Sequence, residues 1–297
     1  MQVKFHVHYA HLMFRLRHYA LLTFLFLPTV GKPDDSLAII EAGVQNSEDA
    51  PFLQPDYRFQ PGEFVYTTFQ TAGFQVQAAT EEQPRKISMT YKVMPEDEKG
   101  VALCPPVSDK IQAELSSEDK NWTPKRRASF LIPSFVAAGQ FRIHVIVNDL
   151  LSKTERSKLI PFQIGGITVQ SPGALNVQDF QFFRRESDRQ SVEVPAYSAG
   201  DSVFARFVMT GFKIGEKNSY HVSYQVLVTR PDGKPYLDRP DAAELVAESF
   251  YPAQYLPGEL ALTTSHDSPK GTYIILLKVR DQIANTSKEV RFPFTIE

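Results

Sequence analysis

Apolar and polar residues alternate with a period of two along much of the chain. The clearest runs are Val65-Thr67-Phe69, Ile87-Met89-Tyr91-Val93, Phe141-Ile143-Val145-Val147 and Tyr273-Ile275-Leu277-Val279, with mostly polar residues between. Successive side chains of a strand point to opposite faces. The pattern therefore predicts antiparallel strands with one face in a core and the other in water. Turn chemistry separates the runs. In "RPDGKP" (Arg230 to Pro235) proline fixes φ and Asp-Gly supplies the positive-φ positions of a tight hairpin. "PEDEKG" (Pro95 to Gly100) marks a looser turn. "DAAELVAE" (Asp241 to Glu248) has the composition of a short helix, and no longer helix is expected.

The pattern occurs twice. "GEFVYTTFQTAGFQV" (Gly62 to Val76) aligns without a gap on "GDSVFARFVMTGFKI" (Gly200 to Ile214), and the same offset pairs Leu37, Ile39 and Glu41 with Leu175, Val177 and Asp179. "GQFRIHVIVNDLLSKTERSKLIPFQI" (Gly139 to Ile164) aligns on "GTYIILLKVRDQIANTSKEVRFPFTI" (Gly271 to Ile296), keeping Asp149/Asp281, Pro161/Pro293 and Phe162/Phe294. Between these blocks, alternation matches Ile87–Met94 to Val222–Thr229. The chain is thus expected to be all-β, two tandem antiparallel β-sandwiches of about 120 residues each. One spans 37–164 and the other 175–297. The linker, 165–174, has Gly165-Gly166 as a hinge.

"QPGEFVYTTF", "RPDGKPYL" and "KGTYIILLKVRD…FPFTI" resemble the macroglobulin-type and fibronectin-type immunoglobulin-like domains of bacterial exported proteins. The resemblance covers residues 37–297 and implies an immunoglobulin-like fold. It does not extend to protease trapping, because the Cys-x-Glu-Gln thioester sequence is missing: Cys104 is followed by Pro105 and Pro106.

The first 31 residues have a different character. Arg15, Arg17 and His18 precede an apolar run from Tyr19 to Val30, closed by Gly31. As a helix this run would extend only about 18 Å, too short for a bilayer core. A basic flank, a short apolar stretch and a small residue at the end are the marks of a secretory signal peptide over 1–31. The mature chain is then periplasmic or extracellular, without a transmembrane segment. Removing Lys4, Arg15 and Arg17 moves the net charge from −2 to −5, and the remaining basic residues are scattered, so nucleic acid is not an expected partner. Cys104 is the only cysteine, which leaves an exported chain without an internal disulfide; it is expected to be a small core or loop residue, with a link between chains as the alternative.

Candidate chemistry is sparse. Gly200-Asp201-Ser202 resembles the nucleophile block of GDS-type hydrolases, yet Ser202 occupies the repeat position of Phe64 at a strand start and lacks a histidine base. His144, His221 and His266 have no ligand spacing, so neither metal nor cofactor is expected. Asp149 and Asp281 are expected to cap backbone N–H groups of the last hairpin in each copy. Trp122 in "EDKNWTPK", with Tyr251 and Tyr255 in "SFYPAQYLPG", are the candidate ligand-binding residues, since flat aromatic faces cover the C–H side of a sugar ring. Ser129 after Arg126-Arg127 is explained equally well by a solvated basic loop, and the acceptor patterns at Asn121 and Asn285 matter only in a eukaryotic host, against which the bacterial look of the chain argues. The expected function is that of a non-enzymatic exported module binding an envelope or extracellular protein through loops or sheet faces. Polysaccharide binding through the loop aromatics is the alternative.

Overall fold

The computed structural model describes residues 36–80, 84–116, 118–119, 121–170 and 173–297; the signal peptide expected over 1–31 lies outside the described residues. The first copy is built from β1 (Ala38–Gln45), β2 (Arg58–Phe59), β3 (Phe64–Ala72), β4 (Arg85–Asp97), β5 (Val107–Leu115), β6 (Lys125–Leu131), β7 (Gly139–Asp149) and β8 (Thr154–Ile164). The second repeats the series as β9 (Asn176–Phe183), β10 (Ala196–Tyr197), β11 (Ser202–Thr210), β12 (Tyr220–Thr229), β13 (Pro235–Ala247), β14 (Leu256–Thr263), β15 (Gly271–Asp281) and β16 (Thr286–Ile296).

Each copy is an immunoglobulin-like sandwich. A three-stranded sheet, β1-β3-β6 or β9-β11-β14, packs on a five-stranded sheet, β2-β8-β7-β4-β5 or β10-β16-β15-β12-β13. The ladders are antiparallel except at the short second strand, which runs parallel to the last strand of its copy. Alternation in the sequence becomes alternation in burial: Val65, Thr67 and Phe69 are buried in β3, as are Val203, Ala205 and Phe207 in β11.

The two cores repeat in aromatic geometry as well as in topology. Phe69 meets Tyr91 edge-on across the sheets at 5.5 Å, and Phe207 meets Tyr224 likewise at 5.2 Å. The Phe59–Phe162 and Tyr197–Phe294 edge contacts, at 5.9 and 6.1 Å, form a second equivalent pair. Such contacts stabilise by about 0.5–1.5 kcal/mol beyond the area they bury. Strain is duplicated too. Glu41 and Asp179 both take positive φ, 44° and 50°, at a bulge in the first strand of their copy, and Lys153 and Asn285 do so in the last hairpin.

Two expectations are corrected. Tyr91 faces Val147 and Tyr224 faces Val279, so Ile87–Met94 corresponds to Tyr220–Leu227 and not to Val222–Thr229. A slide of two residues leaves alternation unchanged, so the pattern alone could not fix the alignment. Residues Asp241–Glu248 form no helix. Through Ala247 they belong to β13, where Ala243, Leu245 and Ala247 pair with Tyr224, Val222 and Tyr220. Pairing with β12 overrides the helical propensity of an Ala-Glu-Leu stretch. Pro240 sits at the register shift of this edge strand, where a missing N–H is tolerated.

The paired aspartates do more than cap a turn. Asp149 accepts from the N–H groups of Leu151 and Ser152 and from the Ser152 hydroxyl, and Asp281 from the N–H groups of Ile283 and Ala284. Each carboxylate also reaches across the sandwich through its Oδ2. It accepts the N–H of Gln75 in one copy and of Lys213 in the other, each at 2.7 Å. Asp281→Ala would leave three donors unsatisfied beside a buried site, and is expected to lower stability by about 2–4 kcal/mol in urea unfolding. Asp281→Asn, which keeps one acceptor oxygen, is expected to lose less.

Candidate functional site

The richest cluster of side-chain interactions outside the two cores lies where loops of the two sandwiches meet. One loop, residues 132–138, joins β6 to β7. The other, residues 248–255, joins β13 to β14. Tyr251 of the second copy is buried within the core cluster of the first, and Phe135 of the first packs against the core cluster of the second. Phe135 makes edge contacts with Tyr255 at 6.1 Å and Tyr220 at 6.5 Å. Each sandwich therefore lends an aromatic ring to the other, and burying such a ring contributes about 1.5–3 kcal/mol.

Hydrogen bonds fix the register of this exchange. The N–H of Gln254 donates to the carbonyl of Phe135 at 2.9 Å, while its side-chain oxygen accepts the N–H of Ala137 at 2.5 Å. The Gln254 amide also donates to the Tyr251 hydroxyl, which donates to Asp97 at 3.1 Å. Tyr255 donates to the carbonyl of Ser134. Burial, reinforced by the Asp97 carboxylate, pushes the Tyr251 hydroxyl far up from its ordinary pKa, so it remains a donor. Asp97 is held in place in turn. Its other oxygen accepts the N–H groups of Lys99 and Val101, and neighbouring Glu96, itself buried, pairs with Arg142 at 2.6 Å.

The expected sugar platform divides between these surroundings. Tyr251 and Tyr255 are 4% and 7% exposed, so their faces are taken by the seam and offer nothing to a sugar ring. Trp122 lies apart in the loop before β6 and keeps 38% exposure. Leu131 and Thr263 occupy equivalent ladder positions, which places Trp122 at the repeat position of Gln254. Sequence reasoning found the aromatic cluster but not the role of Phe135 or Gln254. The available signal was "IPSFVAAG" (Ile132 to Gly139), a loop too apolar to be left in water.

The expected hinge is pinned on the side of the first copy. The N–H of Gly165 donates to the carbonyl of Phe59, and Ala138 donates to the carbonyl of Ile167. Gly166 takes φ 94°, a conformation suited to glycine. Ser202 pairs its hydroxyl with that of Thr263 across the ladder. His144 stands 3.5 Å from Glu96 and His221 2.6 Å from Glu244, while His266 packs against Gly200. Among the described residues no three His, Cys, Asp or Glu side chains converge on a metal position, and no helix is long and apolar enough to cross a membrane.

No family model matches this chain, and no curated protein matches it. Among solved structures it is similar to the C-terminal domain of the Streptococcus pyogenes antigen I/II-family protein AspA, at 10% identity and TM-score 0.29, over 86% of this chain and 98% of that one. The C-terminal domain of the Streptococcus agalactiae AgI/II polypeptide BspA matches at 9% identity and TM-score 0.29, over 86% and 99%. A family 123 glycoside hydrolase from Clostridium perfringens matches at 11% and TM-score 0.30, over 42% of this chain and 27% of that one. Likeness this slight transfers no residue role, and none of the three is described as macroglobulin-type.

Tyr251→Ala is expected to destabilise by about 3–5 kcal/mol, and Tyr251→Phe by about 1–2, as read from chemical unfolding; the first removes the buried ring and the second only the hydroxyl that donates to Asp97 and accepts from Gln254. Cys104 is half-buried against the first core, and burial pushes its thiol up to about 11. At pH 8 it is almost wholly the neutral thiol. Iodoacetamide should modify it about a hundredfold more slowly than an ordinary cysteine, with the rate rising tenfold per pH unit toward pH 11.

Proposed function

We propose that the chain is a non-enzymatic module that works outside the cytoplasm, its two immunoglobulin-like sandwiches locked together so that their loops and sheet faces meet a protein partner in a fixed relation. The observation that carries this reading is the reciprocal seam, with Tyr251 in the first core, Phe135 against the second, and Gln254 bonded by both its backbone and its side chain. Domains joined only by a linker move independently, whereas a desolvated and hydrogen-bonded interface resists that motion. The use to which the chemistry-bearing residues are put supports a scaffold. Asp149 and Asp281 spend their oxygens on hairpin and cross-sheet donors, and the Ser202 hydroxyl bonds Thr263.

Calorimetry of the exported chain tests this. One cooperative transition is expected, and Tyr251→Ala with Gln254→Ala should split it into two while each sandwich keeps its β-sheet circular dichroism. Two independent transitions in the unaltered protein would refute the locked arrangement. The functional counterpart is a partner that binds the unaltered protein and is lost from the split variant.

A further inference from the structure

The outer face of the three-stranded sheet differs between the copies more than the cores do. In the first copy this face satisfies itself. Gln70 bonds Glu41 and accepts from Thr123, Thr68 donates to Gln45, and Arg127 pairs with Glu48 and Asp49. The ring of Phe52 lies over Gly43. The repeat positions in the second copy are open. Asp179 replaces Glu41, Gln181 replaces Gly43, Val208 replaces Gln70 and Glu259 replaces Arg127. Among the described residues the side chains of Asp179, Gln181, Arg189 and Glu259 have no hydrogen-bond or ion-pair partner, and all four line a cleft of about 1000 Å³.

The chemistry of the cleft narrows its occupant. Arg189 and Arg206 stand with Asp179 and Glu259, so the charges balance and a polyanion gains nothing there. Arg206 is already committed, donating to the carbonyls of Glu186 and Asp188 with its guanidinium over the Phe183 ring. The adjoining edge strand β14 is closed to an added peptide at this point. Pro257 has no N–H, and the carbonyl of Glu259 accepts the Tyr224 hydroxyl at 2.8 Å. What remains is a set of planar carboxylate, amide and guanidinium groups around an apolar floor that includes Val208 and Leu245. Planar polar groups bond neighbouring hydroxyls in pairs, and an apolar floor accepts C–H surface. We infer that this cleft binds a neutral oligosaccharide.

One wall of the cleft is formed by Gly166, Ile167, Thr168 and Gln170 of the linker. The N–H of Thr168 has no partner among the described residues, so a bound glycan can accept from it. The site is independent of the seam and of Trp122.

The test titrates maltohexaose, cellohexaose and N-acetylchitohexaose into the ¹⁵N-labelled exported chain. At least one is expected to shift the Gln181 and Thr168 amides in the millimolar range or below and to slow hydrogen exchange at Thr168. Gln181→Ala with Glu259→Ala is expected to weaken binding about tenfold or more, through the lost hydrogen bonds, with Trp122→Ala without effect. The inference is overturned if none of the three probes moves these amides. It is equally overturned if the double variant binds as tightly as the parent, or if Trp122→Ala abolishes binding.

Discussion

Asp149 and Asp281 are almost wholly removed from water, and a carboxylate in that position is tolerable only when donors surround it. Each satisfies the condition in the same way, with donors from its own hairpin and one from the segment that follows the third strand of its copy. The two sheets of a sandwich could otherwise slide against one another, since apolar packing has no direction. A charge that must keep its donors does have direction. The edge-on Phe69–Tyr91 and Phe207–Tyr224 contacts depend on that fixed relation between sheets.

The same logic, with a hydroxyl in place of a carboxylate, operates where the copies join. Asp97 is held by the N–H groups of its own turn, beside the Glu96–Arg142 ion pair, and that turn presents its second oxygen to Tyr251. The duplicated sandwich thus uses local turns to position groups that act over long sequence distances. Divergence between the copies is confined mainly to what those groups do not need. Phe64 and Leu131 face each other outward in one copy, and Ser202 and Thr263 do so in the other.

Much of this architecture was legible in the residues. Alternation in β3, β7 and β15 showed the strands, and the repeated Gly, Asp and Pro-Phe positions showed the duplication. Both survive because turns and cores depend on local chemistry. The register of β4 against β12 was not legible, since a shift of two residues preserves every inward and outward side chain. The fate of Tyr251 and Tyr255 was also hidden. An aromatic residue in a polar loop has the same sequence signature whether its ring faces solvent or enters a neighbouring core. The open cleft on the second copy was hidden as well, since pairing across loops leaves no periodic trace.

Tyr251 also bears on the order in which the chain is made. The strands of the first sandwich are complete at Ile164, yet one member of its core is encoded far downstream, in the loop before β14. A chain emerging from the ribosome therefore completes the fold of its first half before that half can be sealed. Until the second half follows, the first has an open socket on its surface, and its most stable state is not available to it.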